Sequence, residues 1–68
     1  MTDLTRLSVN MTRTTTDELQ RLAAAQGMPM TEIIRRAVAV YGFIHDETQA
    51  GRTVTTGKGR RRRELVLL

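Results

Sequence analysis

The sequence predicts a mainly α-helical fold with one β-strand, in one small domain followed by a basic tail. Three observations predict it. Apolar and polar residues alternate over about 5–12, and helical spacing follows over about 16–26 and 31–47. Charge then separates the domain, 1–50, from the tail, 51–68, because the domain has a net charge of −1 and the tail a net charge of +5.

The predicted strand has one apolar and one polar row. The apolar row is Leu7, Val9 and Met11, and the polar row is Arg6, Ser8 and Asn10. No second strand follows closely in the sequence. Because a lone strand leaves its backbone donors and acceptors unpaired, this segment needs a partner from elsewhere.

The first helix is predicted to begin with a capping box, since Thr15 and Glu18 have the required spacing. Leu19 and Leu22 give the helix a short and narrow apolar face. Gly27 is expected to end the helix in the left-handed conformation.

The second helix is predicted to start with Thr31 as its N-cap and to be apolar over most of its circumference. A chain of 68 residues has too little else to cover such a helix, so a second copy is the expected cover. Gly42 is unfavourable inside a helix, and it indicates either close approach of a neighbour or early fraying. The apolar residues are Ile33, Ile34, Ala37, Val38, Val40, Tyr41, Phe43 and Ile44.

Composition excludes several kinds of site. There is no cysteine, and His45 alone cannot build a zinc site, so neither disulfides nor a structural metal is expected. No cofactor is predicted. No apolar run is long enough for a membrane span and no signal peptide is visible, which predicts a cytoplasmic protein.

The order of strand, capped helix, Gly-containing turn and longer Thr-capped helix resembles the ribbon-helix-helix family of bacterial and phage DNA-binding proteins. This family includes Arc-, MetJ- and CopG-like repressors and many antitoxins. The resemblance covers roughly residues 4–46, in the stretches RLSVNM, TTDELQRLAAAQGM and MTEIIRRAVAVY. It implies an intertwined homodimer with an intermolecular antiparallel two-stranded ribbon. The implied dimer core is Leu7, Val9, Met11, Leu19, Leu22, Ile33, Ile34, Ala37, Val38 and Tyr41.

In such a dimer the two strands are expected to cross the two-fold axis at Ser8. Arg6 would then face Asn10 of the second copy, whereas an axis at Arg6 would place two like charges opposite each other. The outer face would present Arg6, Ser8 and Asn10 to base edges in the major groove. The alternative is that these side chains are only the solvated face of a strand.

Phosphate contacts are expected from the N-terminus of the second helix, through the backbone N–H groups of Thr31 and Glu32. Arg13 is a further candidate, with a solvated arginine as the equal alternative. In the tail, the run of Arg60, Arg61, Arg62 and Arg63 could bind phosphates without adding sequence choice.

The tail has three alternative interpretations. Its glycines, threonines and arginines favour a solvated basic extension. Val54, the GKG segment and the final ELVLL instead allow a hairpin, or a strand that awaits a partner. Antitoxins of the resembled family commonly hold a toxin with the segment after the second helix, which makes a toxin a candidate partner of 51–68.

The function that these features favour is sequence-specific binding of double-stranded DNA by a homodimer, as a nucleoid-associated transcriptional repressor. An antitoxin that regulates its own operon is the main alternative. A basic RNA-binding or membrane-surface protein and a pure dimerisation module are lesser ones. An enzyme is not expected, because His45, Asp46 and Glu47 are adjacent and diverge on a helix.

Overall fold

Two helices and a two-stranded antiparallel sheet follow one another along the chain. The structure, a computed structural model, describes residues 4–66. Helix α1 spans Arg13–Gln26, helix α2 spans Met30–Gln49, strand β1 spans Val54–Lys58 and strand β2 spans Arg61–Leu65. The fold is therefore mainly α, as predicted, with a β-ribbon. Its two strands lie in the tail, whereas the prediction had one strand, in the N-terminal segment. The chain divides after Ile33 into two units.

The N-terminal segment has neither helix nor strand over residues 4–12. A strand is defined by ladder hydrogen bonds to a neighbouring strand. In the described part of the chain the sheet contains only β1 and β2, which pair with each other. The segment predicted as a strand over 5–12 consequently has no ladder with any other described segment of its chain.

The start of α1 differs from the prediction. The N-cap is Thr12, whose Oγ1 accepts a hydrogen bond from the backbone N–H of Thr15 at 3.2 Å. Thr15 therefore lies inside the first turn, and the predicted capping box with Glu18 is wrong. Glu18 instead forms an ion pair with Arg21, one turn further on. The helix begins at Arg13 because Thr12, three residues before the predicted start at Thr15, caps it by accepting from the N–H of Thr15.

The end of α1 is as predicted. Gly27 has φ 62, in the left-handed region that glycine adopts without strain. Its N–H donates to the carbonyl of Ala24, and the N–H of Met28 donates to the carbonyl of Ala23. This pair of bonds is a Schellman motif, which satisfies carbonyl groups that the helix end would otherwise leave free.

Helix α2 begins one residue before the predicted cap. The carbonyl of Pro29 accepts from the N–H groups of Glu32 and Ile33, at 3.1 and 3.3 Å. Thr31 thus lies in the first turn and is not the N-cap. The helix continues without interruption past Gly42 to Gln49, so it does not end early at this glycine. It ends at Gln49 in a second Schellman motif, with Gly51 at φ 81.

The tail forms a hairpin and not the solvated extension that its composition favours. Strands β1 and β2 pair antiparallel, from Val54 opposite Leu65 to Lys58 opposite Arg61. A two-residue loop of Gly59 and Arg60 joins them. Gly59 has φ 62, whereas no non-Gly residue in the described range has a positive φ, which matches the glycine required first in a type II′ turn. The last two residues of ELVLL lie outside the described residues.

The apolar residues of the single chain are nearly all accessible. Ile33, which is 5% exposed, is the one buried hydrophobic residue in the described part. Leu19, Leu22 and Ile44 are half-buried. No helix of the described residues combines the length and apolar character that a bilayer crossing needs. The described part of a single chain therefore has little buried core to stabilise it.

Candidate nucleic-acid interface

The polar row of the N-terminal segment is open to solvent. Arg6, Ser8 and Asn10 are all exposed, and within residues 4–66 their side chains form no hydrogen bond or ion pair. The segment leads directly into Thr12, whose extended backbone (φ −68, ψ 159) forms the cap of α1. Three donor or acceptor side chains of different chemistry therefore lie in one short stretch, at every second residue.

The apolar row of the same segment is exposed as well. Leu7 is 81% exposed and Val9 is 60% exposed, and Met11 is also exposed. In an amphipathic strand the apolar face is normally the buried one, because covering it is what stabilises the strand. Both rows of this segment are thus accessible in one chain, and its apolar row is at most partly covered.

Helix α2 has uncovered apolar residues of its own. Residues at helical spacing from Ile34 stay accessible, and Val38 is 67% exposed. Ile34, Val40, Tyr41 and Phe43 are exposed too. Ala37 belongs to the same exposed set. Of the residues predicted as dimer core, Ile33 is therefore buried in the single chain, and the others are half-buried or exposed.

The N-terminus of α2 offers a different pair of N–H groups from the one predicted. The N–H of Glu32 donates to the carbonyl of Pro29, so it is already used and the expectation of a free N–H there is wrong. The N–H groups of Met30 and Thr31 form no backbone hydrogen bond with the described loop residues. An anion at this helix end would therefore meet Met30 and Thr31, in the positive end of the helix dipole.

Arg13 is the first residue of α1 and directly follows the cap. Its side chain is 92% exposed, and its Nε lies 3.5 Å from Oδ1 of Asp17. An exposed pair one helical turn apart is weak, because water screens it. The guanidinium can consequently leave Asp17 at little cost.

The hairpin gathers the tail's cations at its turn. Arg60 to Arg63 are all exposed, and the structure adds Lys58, which the sequence reasoning did not select. Lys58 lies directly opposite Arg61 in the register. The hairpin alternative for the tail could have indicated Lys58, because pairing of its two strands places Lys58 opposite an arginine.

Comparison with known proteins finds a match to one family model. The sequence model of the family described as "Ribbon-helix-helix protein, copG family" matches residues 5–41, which is more than half of the chain. Proteins of this family are generally DNA-binding transcription regulators that bind DNA as dimers. Neither the curated proteins nor the solved structures contain a significant match.

Proposed function

Since the chain belongs to the copG family of ribbon-helix-helix proteins, we propose that it is a homodimeric repressor of transcription that reads double-stranded DNA through a β-ribbon. Two copies of residues 5–12 form that ribbon. One observation carries the proposal: the N-terminal segment alternates apolar and polar side chains, yet both rows are exposed and no ladder joins it to another segment within residues 4–66.

A second copy of the same segment supplies the missing ladder. Antiparallel pairing across a two-fold axis at Ser8 joins the inner backbone groups of both chains. Leu7, Val9 and Met11 then point into a shared core together with the exposed face of α2. Transfer of these side chains from water is the main favourable free energy of the dimer.

The opposite face of the ribbon carries the sequence readout. Arg6 can bind a guanine edge with two hydrogen bonds, and Asn10 can bind an adenine edge likewise. Ser8, at the axis, can donate to or accept from either kind of edge. A two-stranded ribbon fits the major groove, where the four base pairs are distinguishable.

Backbone contacts to phosphate fix the ribbon in the groove. The free N–H groups of Met30 and Thr31 at the start of α2 are suited to one phosphate, and the Thr31 hydroxyl can add a third donor. Arg13 reaches a neighbouring phosphate once it leaves Asp17. Because the target is chromosomal or plasmid DNA, the protein acts in the cytoplasm, associated with the nucleoid.

Selection from a pool of random duplexes tests the proposal. Wild-type protein is expected to enrich a two-fold or repeated site, and Arg6→Ala or Asn10→Ala to abolish the preference for it. Each bidentate pair that is removed takes away about 1 to 3 kcal/mol of discrimination. The matched controls are Arg21→Ala and Gln20→Ala, which remove a guanidinium and a side-chain amide from exposed positions on α1.

Two measurements make the result decisive. Circular dichroism and sedimentation establish that each variant is still a folded dimer. Equal site preference by wild type, Arg6→Ala and Asn10→Ala, in folded dimers, would rule out base readout by the ribbon.

An antitoxin is the second candidate function. It is favoured by the far end of the hairpin, where Val66 is 63% exposed and Leu65 is also accessible. An apolar strand end of this kind suits pairing with another protein. Co-expression with the product of a short downstream reading frame tests it: a stable complex that disappears on removal of residues 51–68 is the expected result for an antitoxin.

A further inference from the structure

The turn half of the C-terminal hairpin is a dense cluster of cations around small residues. An open concavity there is lined by Thr56, Gly57, Lys58 and Arg60–Arg63. Gly57 lies opposite Arg62 and Thr56 lies opposite Arg63, so the arginines face residues that fill little space. The cluster is thus built into a folded element and is not a random basic tail.

Within residues 4–66, no carboxylate forms an ion pair with this cluster. Elsewhere Arg13, Arg21 and Arg52 each form an ion pair with a nearby acid. Lys58 and Arg60–Arg63 form none with any residue in the described range. Their nearest acid in the strands, Glu64, is paired with Thr55, in a position that alternates away from Arg61 and Arg63.

The register also places like charges together. Lys58 and Arg61 are directly opposite at the last pair before the turn. Like charges at opposed positions of an antiparallel pair repel and weaken the pairing. Arg63 lies two residues from Arg61, on the same face and about 7 Å further along the strand. An anion that bridges these side chains would therefore strengthen the hairpin.

We propose that the hairpin is a second DNA-contacting element. Lys58, Arg61 and Arg63 bind phosphates of the duplex backbone, and these phosphates stabilise the pairing of the two strands. The inference rests on the proposed function for its partner. The cluster has no aromatic side chain to stack on unpaired bases and no apolar one to enter a membrane, since Val54 and Leu65 lie at the opposite end. It therefore suits the double-stranded backbone, without sequence preference.

The first test measures affinity for a short duplex of arbitrary sequence as a function of salt concentration. Arg61→Gln with Arg63→Gln is expected to reduce the steepness of log K against log salt by about 0.9 for each phosphate that the protein no longer neutralises. Arg52→Gln is the control, because Arg52 precedes β1, at the end of the hairpin away from the turn, and is paired with Glu47, at 3.2 Å. The control removes one charge and the test variant two, so a reduction by the control of half the size would mean that only total charge matters, and it would overturn the proposal.

The second test changes the hairpin without changing its charge. A Cβ at Gly57 would overlap the carbonyl oxygen of Arg61 and lie 2.7 Å from Cα of Arg62. Gly57→Ala is therefore expected to weaken duplex binding several-fold, whereas Thr55→Ala leaves it unchanged. Undiminished binding by folded Gly57→Ala dimers would show that the ordered hairpin is irrelevant, and would refute the inference.

Hydrogen exchange gives an independent readout. Adding the duplex is expected to slow exchange of the β1 and β2 amides in wild type, and not in the variant Arg61→Gln with Arg63→Gln. Slowing by anionic vesicles or single-stranded RNA but not by the duplex would overturn the choice of partner. The selection experiment separates the two proposals. If wild type shows no site preference but the salt dependence changes as expected in Arg61→Gln with Arg63→Gln, only base readout by the ribbon is refuted. If wild type shows the site preference but the salt dependence does not change, only the hairpin proposal is refuted.

Discussion

Truncation of one apolar side chain in the N-terminal segment tests whether folding and dimerisation are one process. Val9→Ala removes two carbons per chain and four per dimer. Each buried carbon contributes about 0.8 kcal/mol when it leaves water. Val9 is already partly covered in the single chain, where it is 60% exposed. About three-fifths of the transfer free energy is therefore gained when the dimer forms.

The expected loss is therefore about 2 kcal/mol of dimer free energy, or roughly a 30-fold weaker dimer. Any cavity left in the core would add to it. Sedimentation equilibrium gives the dissociation constant, and urea unfolding followed by circular dichroism at several protein concentrations gives the linked stability. The control is Ser8→Ala, a change of similar size on the outer row.

Two results would refute the reasoning. A dissociation constant of Val9→Ala equal to that of Ser8→Ala would show that Val9 does not enter a shared core. The stronger variants Val9→Lys and Val38→Lys are expected to abolish both the dimer and the helical signal, because a charge would then lie in the core. A stable, helical monomer from either would separate folding from association.

Three further predictions concern the helices and the tail. Thr12→Ala is expected to cost about 1 kcal/mol in urea unfolding and Thr15→Ala less, because Thr12 is the N-cap; the opposite order would contradict that assignment. Gly42→Ala is expected to stabilise the protein by about 1 kcal/mol, because alanine favours a helix interior more than glycine does. Gly42 lies two and a half turns from Ile33, on the opposite face, and a Cβ there meets nothing within 4 Å in its own chain. A loss of stability would reveal a neighbour at that face. Removal of residues 51–68 is expected to flatten the salt dependence of DNA binding and to keep the site preference, whereas loss of helical structure would show that the hairpin supports the fold.

The sequence by itself determined the local features that depend on neighbouring residues. Helical spacing and the glycine at 27 predict two helices and the left-handed cap between them, and the structure confirms both. Alternation over 5–12 separates an apolar from a polar row, and the order of elements identifies the family. These signals are strong because each arises within a few residues along the chain.

The tertiary structure decided the features for which the sequence offers several equal choices. Threonines at 12, 14, 15 and 16 can all cap a helix, and only the bond from the Thr15 N–H to Thr12 shows which one does. The tail's charge favours an extension, but the pairing of β1 with β2 turns it into a hairpin and brings Lys58 opposite Arg61. Such partners depend on which backbone groups meet in space, and a linear pattern does not fix that.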